Sequence, residues 1–531
     1  MLKLRVAGRG FDLAEGWVWD GRRWSAPCGW VEPFAHEALE HQMVVRSGGA
    51  AAFLIVRERA GGTGALPAPG VGAAPAELAE PAFNDRRRGV TEWPIGFTVV
   101  DLTGPADRGT VTVSCGATGE APLQLGVDGE TLHGSWDLLD LEPVWSVNRL
   151  NLEEATRFVS LRTLYSPATL FSGVYSLTER ASAVFDGSAL SITLPSPAQH
   201  ARPRTLREGA DPVPVFQQLL EEVTARWQAT PGHVAVELSG GMDSAVVAAA
   251  LSEMHGSVRT AVMRLPGAAG DQQMARRAEM IDVLGIGPDH VVSVADHAPF
   301  HPGGTRRGTR FSPNDGNYAE ATELFQQELV AAGVTTVFTG AAGDDMVGLR
   351  PEEFQRLGQQ RPVRPIPGWL GKQAREVVPV LAEGSAPVPV LKYSVLAGLE
   401  PRFPQTMRQG LWPVSPLAAP ELARFGESLP LEWRHHKRVI RECLARRGLS
   451  DRVVWPVLRE NFAPVMETAM RRWGIGLLAD LVSQGSVLAD QGIVDPDAVL
   501  EACRDGRAGG RVRALYRPLM LETALQSMAG A

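Results

Sequence analysis

Lysine and cysteine are both scarce in this chain, with four of each among 531 residues. The cysteines, Cys28, Cys115, Cys443 and Cys503, stand too far apart for a disulfide framework or a CxxC metal site, which leaves four reduced, partly buried thiols. The lysines, Lys3, Lys372, Lys392 and Lys437, make arginine nearly every one of the 52 basic residues, so few positions are open to lysine chemistry. Positive charge is itself in deficit: 60 acidic residues leave a net charge of −8, which is not the balance of a protein that coats nucleic-acid phosphates. No apolar run approaches the roughly 18 residues that a membrane span needs. The opening MLKLRVAGRGFDLAEGW turns acidic before a signal-peptide core can form. A soluble, cytoplasmic protein without membrane or nucleic-acid partners is expected.

What is present is ample apolar material, 44% of the residues, for one or more large cores. The first 200 residues carry short apolar runs bounded by Gly, Asp or Pro, at Ala51–Val56, Phe97–Val100, Thr110–Ser114 and Leu123–Val127, and predict stacked sheets. Between them, Ala60 to Gly89 is rich in Gly, Pro and Ala and ends in three arginines, which predicts a flexible insertion or long loop. A Pro-rich stretch from Pro195 to Pro214 marks a change of pattern, and the domain boundary is placed at 204/205. Beyond it, strand candidates Val234–Leu238, Arg259–Leu265, His290–Val294 and Val334–Phe338 alternate with helical segments. In Gln272–Leu284, Met274, Ala278, Ile281 and Leu284 recur at helical spacing. Such alternation predicts an α/β fold with a doubly wound parallel sheet. After about residue 350, Pro-punctuated helical patterns dominate.

The strongest chemical signal is HVAVELSGGMDSAVVAAAL, residues 233–251: a strand ending at Leu238, a Ser-Gly-Gly turn, and a helix beginning near Asp243. A turn of this kind sets free backbone N–H groups and the positive helix end, worth roughly half a unit charge, at the carboxyl edge of the sheet. An anion belongs there. Gly240 and Gly241 allow close approach of the backbone, and the hydroxyls of Ser239 and Ser244 can donate further hydrogen bonds. The GxxxxGK[ST] phosphate loop occurs nowhere in the chain. Residues 239–244 instead match the SGGxDS pyrophosphate loop of enzymes that split ATP into AMP and pyrophosphate.

A second loop follows strand Val334–Phe338 with Thr339-Gly340-Ala341-Ala342-Gly343-Asp344-Asp345. In a parallel sheet it reaches the same edge as the first. Asp243 and Asp344 can then hold a magnesium ion whose other ligands are phosphate oxygens and water. Alone, the second loop would read as a solvated turn.

The two loops, their spacing and their place behind a sheet-rich N-terminal part resemble the asparagine synthetase superfamily, including β-lactam synthetases and the macrolactam-forming cyclases of lasso peptides. The landmarks Trp412 to Leu417, Leu429-Pro430, His436-Lys437-Arg438 and Trp455 to Phe462 follow the family's order, and residues 160–190 look like the stretch that closes its N-terminal domain. The resemblance implies a C-terminal ATP pyrophosphatase domain of the PP-loop, HUP-like type with a helical extension (205–531). It also implies an N-terminal, β-rich α+β domain of Ntn-hydrolase type (1–204). ATP and Mg2+ are the implied cofactors, a carboxylate and an amine the implied substrates, and biosynthetic partner proteins stay open. Leu238, Met263, Thr339 and Gly340 join Ser239, Gly240, Gly241, Asp243 and Ser244 as implied nucleotide contacts.

The departures narrow the reading. Where the family has lysine before a Glu-x-Phe segment, this chain has Arg459-Glu460-Asn461-Phe462. Arginine keeps the charge and holds two oxygens at once, but cannot donate a proton near neutral pH. Lys437, in an expected helix, is the alternative cation, and its site role and a plain exposed position both stand open. The chain begins Met1-Leu2-Lys3, with no cysteine at position 2, and Cys28 lies in a Pro-Cys-Gly-Trp turn, so glutaminase activity is expected to be absent. At position 341 the relatives' glutamate or tyrosine is replaced by Ala341. The expectation is an AMP-forming amide synthetase, with peptide macrolactam closure favoured. Ligation of small molecules, ammonia-dependent asparagine-like synthesis and an inactive nucleotide-binding regulator are the alternatives. A tRNA-modifying relative is disfavoured by the acidic balance and the late position of the loop. His435-His436, without a partner at metal spacing, is expected on a helix surface, and His290 in a structural hydrogen bond.

Overall fold

Alternation of buried and less buried residues shapes the N-terminal part. In Leu2–Ala7, Leu2, Leu4 and Val6 point into the core, and the strand pairs antiparallel with Thr131–Ser135 and Gly29–Pro33. Ala51–Glu58 is buried almost throughout because it lies inside a second sheet, between Leu39–Arg46 and Phe97–Thr103. These strands belong to two seven-stranded sheets of a computed structural model. The structure describes residues 1–62, 64–104, 109–118, 122–255, 258–358 and 365–530. The other two N-terminal strand expectations are met at Thr110–Cys115 and Gln124–Asp128.

The stretch from Ala60 to Gly89 is not simply a loop. Ala76–Leu78 pairs parallel with Leu39–Arg46, and Glu80–Thr91 is a helix. Phe83 and Val90, two turns apart on that helix, bury against Phe53, Val99 and Leu66, which is a force that composition alone conceals. Arg87 then clamps Asp101 with bonds of 2.6 and 2.7 Å. Residue 63 of this stretch lies outside the described residues.

Between Thr193 and Val213 the chain carries no helix or strand. The parallel unit follows: β1 (Val234–Glu237), α1 (Met242–Met254), β2 (Arg259–Arg264), α2 (Gly267–Leu284), β3 (Asp289–Ser293), α3 (Ala319–Ala331) and β4 (Thr336–Phe338). After α4 (Tyr393–Leu399) and α5 (Arg402–Arg408) comes β5 (Trp412–Val414), and α6 (Arg438–Arg446) lies further on. The sheet order is β3-β2-β1-β4-β5, parallel throughout. Val234, Val236 and Leu238 pack with α1 residues on one face, while Ala235 and Val337 pack with Ala321, Phe325 and Leu329 of α3 on the other. The strand order reverses between β1 and β4, the place where an open sheet of this kind leaves a crevice at its carboxyl edge. No helix among the described residues is long and apolar enough to cross a membrane.

One expectation needs correction: a strand, β5, lies in the region read as helical. The helix expected over Gln272–Leu284 is found as α2; Gln273, Arg276, Arg277 and Met280 are buried on it, Ile281 and Leu284 pack partly buried against the core, and Ala278 is exposed. Partners supplied from elsewhere bury these polar side chains: Arg277 pairs with Asp289, and Arg276 with Glu460 at 2.5 Å.

Candidate active site

The carboxyl ends of β1 and β4 open into a cavity of about 710 Å³. Its floor is the Ser239–Ser244 turn. Gly240 has φ +88°, a conformation that a side chain would strain. The two serines close on each other, Oγ to Oγ at 3.0 Å. Ser244 Oγ also accepts from Ser239 N and donates to Gly241 O, while Gly241 N donates to Ser239 Oγ, each at 3.1 Å. The turn is thus shaped before any anion arrives. Helix α1 starts without a side-chain cap, which leaves its first N–H groups for a ligand. Gln273 braces the turn from α2, donating to Ser239 O at 2.9 Å and Met263 O at 3.2 Å while accepting from Leu265 N.

The second loop locks into the first. Thr339 N donates to Val414 O at 2.9 Å, and Thr339 Oγ1 lies 3.0 Å from Ser415 Oγ. A Cβ on Gly340 would stand 2.4 Å from Ser244 N, and one on Gly343 would stand 2.3 Å from Asp243 Cγ. Both positions therefore require glycine. Gly343→Ala is expected to push the Asp243 carboxylate aside and weaken MgATP binding by about tenfold or more, as misplacement on the ångström scale does at preorganised sites. Equilibrium dialysis with labelled nucleotide measures it.

Lys437 closes a short 3-10 turn, His435–Lys437, rather than lying within an α-helix. It and His436 adopt consecutive left-handed conformations, φ +56° and +53°, just before α6, at a cost of about 1–2 kcal/mol each. Arg441 Nε secures the turn by donating to His436 O at 2.5 Å. The result aims Lys437 Nζ between two carboxylates, 2.6 Å from Asp243 Oδ2 and 2.6 Å from Asp344 Oδ1. Burial works against the ammonium, but Asp243 and Asp344 outweigh it and hold its pKa above the ordinary lysine value. Burial also raises the Asp243 carboxyl, with Lys437 opposing and Asp344 adding to the effect.

These carboxylates fit a divalent ion. Asp243 Oδ1 is buried without a hydrogen-bond partner, and an ammonium already sits where positive charge is wanted. Among the described residues no group of three or more His, Cys, Asp or Glu could hold a metal by itself, so such an ion would draw its remaining ligands from phosphate and water.

Arg459 lies on an exposed strap across the cavity mouth. Gln272 holds the strap on one side, accepting from Leu458 N at 3.1 Å and donating to Leu458 O at 2.6 Å, and the Arg276–Glu460 pair holds the other. Of the residues expected to touch nucleotide, Ser239, Gly241, Asp243, Ser244, Thr339 and Gly340 line the cavity, as do Asp344, Lys437 and Arg459. Leu238 is buried beneath the turn, Gly240 is buried within it, and Met263 Sδ accepts from Thr322 Oγ1 at 3.6 Å. None of those three lines it. His435 and His436 do line it, with rings 3.9 Å apart on a short 3-10 turn rather than a helix face. His290 is the second residue of β3; its Nδ1 lies 3.7 Å from Glu328 and its Nε2 is buried without a hydrogen-bond partner among the described residues, so the expected structural hydrogen bond is not made.

Several cavity residues escaped the sequence reading. Glu237, the last residue of β1, pairs with Arg402 of α5, and burial raises its carboxyl despite that arginine. A charge closing an otherwise apolar strand was the available signal. Arg276, within a helix of mixed polarity, gave none. The four cysteines are free, and burial pushes the Cys28 thiol up to about 11.

Residues 215–388 match the family model described as asparagine synthase, a segment that holds both loops but neither Lys437 nor Arg459. No curated protein matches the chain. The family match covers about a third of the chain; it supports membership of the asparagine synthetase superfamily and, with it, an ATP-dependent amide-forming ligase in general.

Proposed function

We propose that this chain activates a substrate carboxylate as its adenylate and passes the acyl group to an amine. The observation that carries the reading is the Lys437 ammonium held between Asp243 and Asp344 at the edge of the Ser239–Ser244 turn. A carboxylate oxygen attacks the α-phosphorus, the bond to the β-phosphate breaks, and pyrophosphate departs toward the N–H groups of the turn. The amine then attacks the acyl carbon, and AMP leaves. Magnesium, held by Asp243 and Asp344, would neutralise phosphate charge when bound. Lys437 adds a cation at the same edge, and Arg459 can close over phosphate oxygens from the strap without acting as an acid. Ala341 offers no group to take the amine's proton, which leaves to water or phosphate.

Within this chemistry the favoured case is closure of a peptide macrolactam. The N-terminal sheets then serve the fold without glutaminase chemistry, and the amine arrives on the substrate. Exchange of labelled pyrophosphate into ATP, dependent on a carboxylate substrate, tests the activation step. Asp243→Ala is expected to abolish it, and exchange unchanged in that variant overturns the site assignment. A peptide product lighter by one water, formed without added ammonia, tests the ring closure.

A further inference from the structure

Beside the nucleotide cavity lies a second one of about 1490 Å³, against about 710 Å³ for the first. The two share Gly348, Leu349 and Arg434 in their walls. Gly348 has no side chain, and a Cβ there would stand 2.8 Å from Lys392 Nζ.

Lys392 precedes α4, is half-buried, and lines the larger cavity. Its ammonium donates to the backbone oxygen of Asp345 at 2.5 Å, and among the described residues no carboxylate comes within ion-pair distance of it. The two nearby acids are engaged elsewhere. Asp345 Oδ1 accepts from Ser394 Oγ at 2.6 Å, and Glu427 is taken by His200 and by Ala201 N. Arg350 and Arg434, the neighbouring cations, are bound to backbone carbonyls and, for Arg434, to Glu353. Burial accordingly lowers the Lys392 pKa, with Asp345 and Glu427 opposing and the two arginines adding. A cation partly removed from water and without a direct ion pair favours an anionic ligand. The remaining lining, including Tyr165, Val388, Pro389 and Tyr393, supplies apolar length that a free amino acid would not fill.

We propose that this cavity receives the acid substrate as an extended, peptide-like molecule, and that Lys392 is the positioning residue that holds its carboxylate at the wall shared with the nucleotide cavity. The proposal rests on the amide-ligase reading. Lysine suits the task as a compact ammonium, whose Nζ would stand 2.8 Å from a Cβ at Gly348. Its bond to Asp345 O ties the carboxylate holder to the residue next to Asp344.

The test compares short apolar peptides that carry one Glu with the same peptides carrying Gln, titrated into the full chain and followed by calorimetry. MgATP is titrated separately. Wild type is expected to prefer the Glu peptides by about tenfold or more, the usual scale for a charged hydrogen bond. Lys392→Met is expected to erase that preference while leaving MgATP affinity within about twofold, and Lys392→Arg to restore part of it. A preference that survives in Lys392→Met, or no preference in folded wild type, overturns the proposal. Failure of wild type to bind MgATP would instead overturn the ligase reading, and the peptide preference still judges Lys392.

Discussion

Lys437→Met is expected to lower pyrophosphate exchange on the order of a hundredfold to a thousandfold, the scale seen when one preorganised charge-stabilising donor is removed. The ammonium is the only group placed within 2.6 Å of both Asp243 and Asp344 among the described residues. Its loss leaves the buried Asp243 carboxylate facing Asp344 without compensation. The Asp243 pKa, already raised, then rises further. A carboxyl whose folded pKa lies above its unfolded value binds more protons in the folded state, so its contribution to stability is present at low pH and lost as pH rises through the folded pKa. The variant is therefore expected to lose more stability relative to wild type at about pH 8 than at about pH 5. Denaturant unfolding at the two pH values measures this, and an equal loss at both would show that the pair is not coupled. Arg459→Ala, on its exposed strap, is expected to cost less, about tenfold, and to leave the pH dependence of unfolding unchanged. A larger effect at Arg459 than at Lys437 would reverse the assignment of the principal cation.

The second large effect is on folding. Glu58, 2% exposed at the end of an N-terminal strand, accepts from Trp412 Nε1 at 2.7 Å, Gly96 N at 2.7 Å and Trp227 Nε1 at 3.0 Å. Burial pushes its carboxyl up, and these three donors pull it back. Glu58→Leu would leave all three N–H groups buried and unpaired, at roughly 1–3 kcal/mol each, so a loss of about 3–5 kcal/mol is expected after partial relaxation. The loss should also reach the active site. Trp412 belongs to β5, whose Val414 oxygen holds Thr339 N in the second loop. Chemical denaturation reads the stability, and MgATP affinity of the folded variant reads the second effect. A loss below about 1 kcal/mol would mean that water replaces the carboxylate.

The first loop was legible because its geometry is local: a turn that needs φ +88° at Gly240 writes glycine there. The second was legible only beside the first, because Gly340 and Gly343 answer to Ser244 and Asp243, about a hundred residues earlier. The parallel sheet was legible from alternation of apolar runs with helical segments. β5 was not, because Pro413 argues against a strand, yet an edge strand tolerates proline and β5 is the edge of this sheet. The polar inner face of α2 was hidden for a different reason: Gln273 and Arg276 are buried by partners at Ser239 and Glu460 that no local pattern announces. Lys437 was ambiguous on the same ground, its partner Asp243 being 194 residues away.

Both large cores draw on both halves of the chain. Leu4, Trp24 and Val56 pack in one cluster with Val236 and Trp412, while Phe158 and Leu170 share another with Leu478 and Leu519. Destabilising substitutions in the N-terminal sheets are therefore expected to unsettle the parallel sheet and its loops through these shared cores, whatever those sheets do or do not bind.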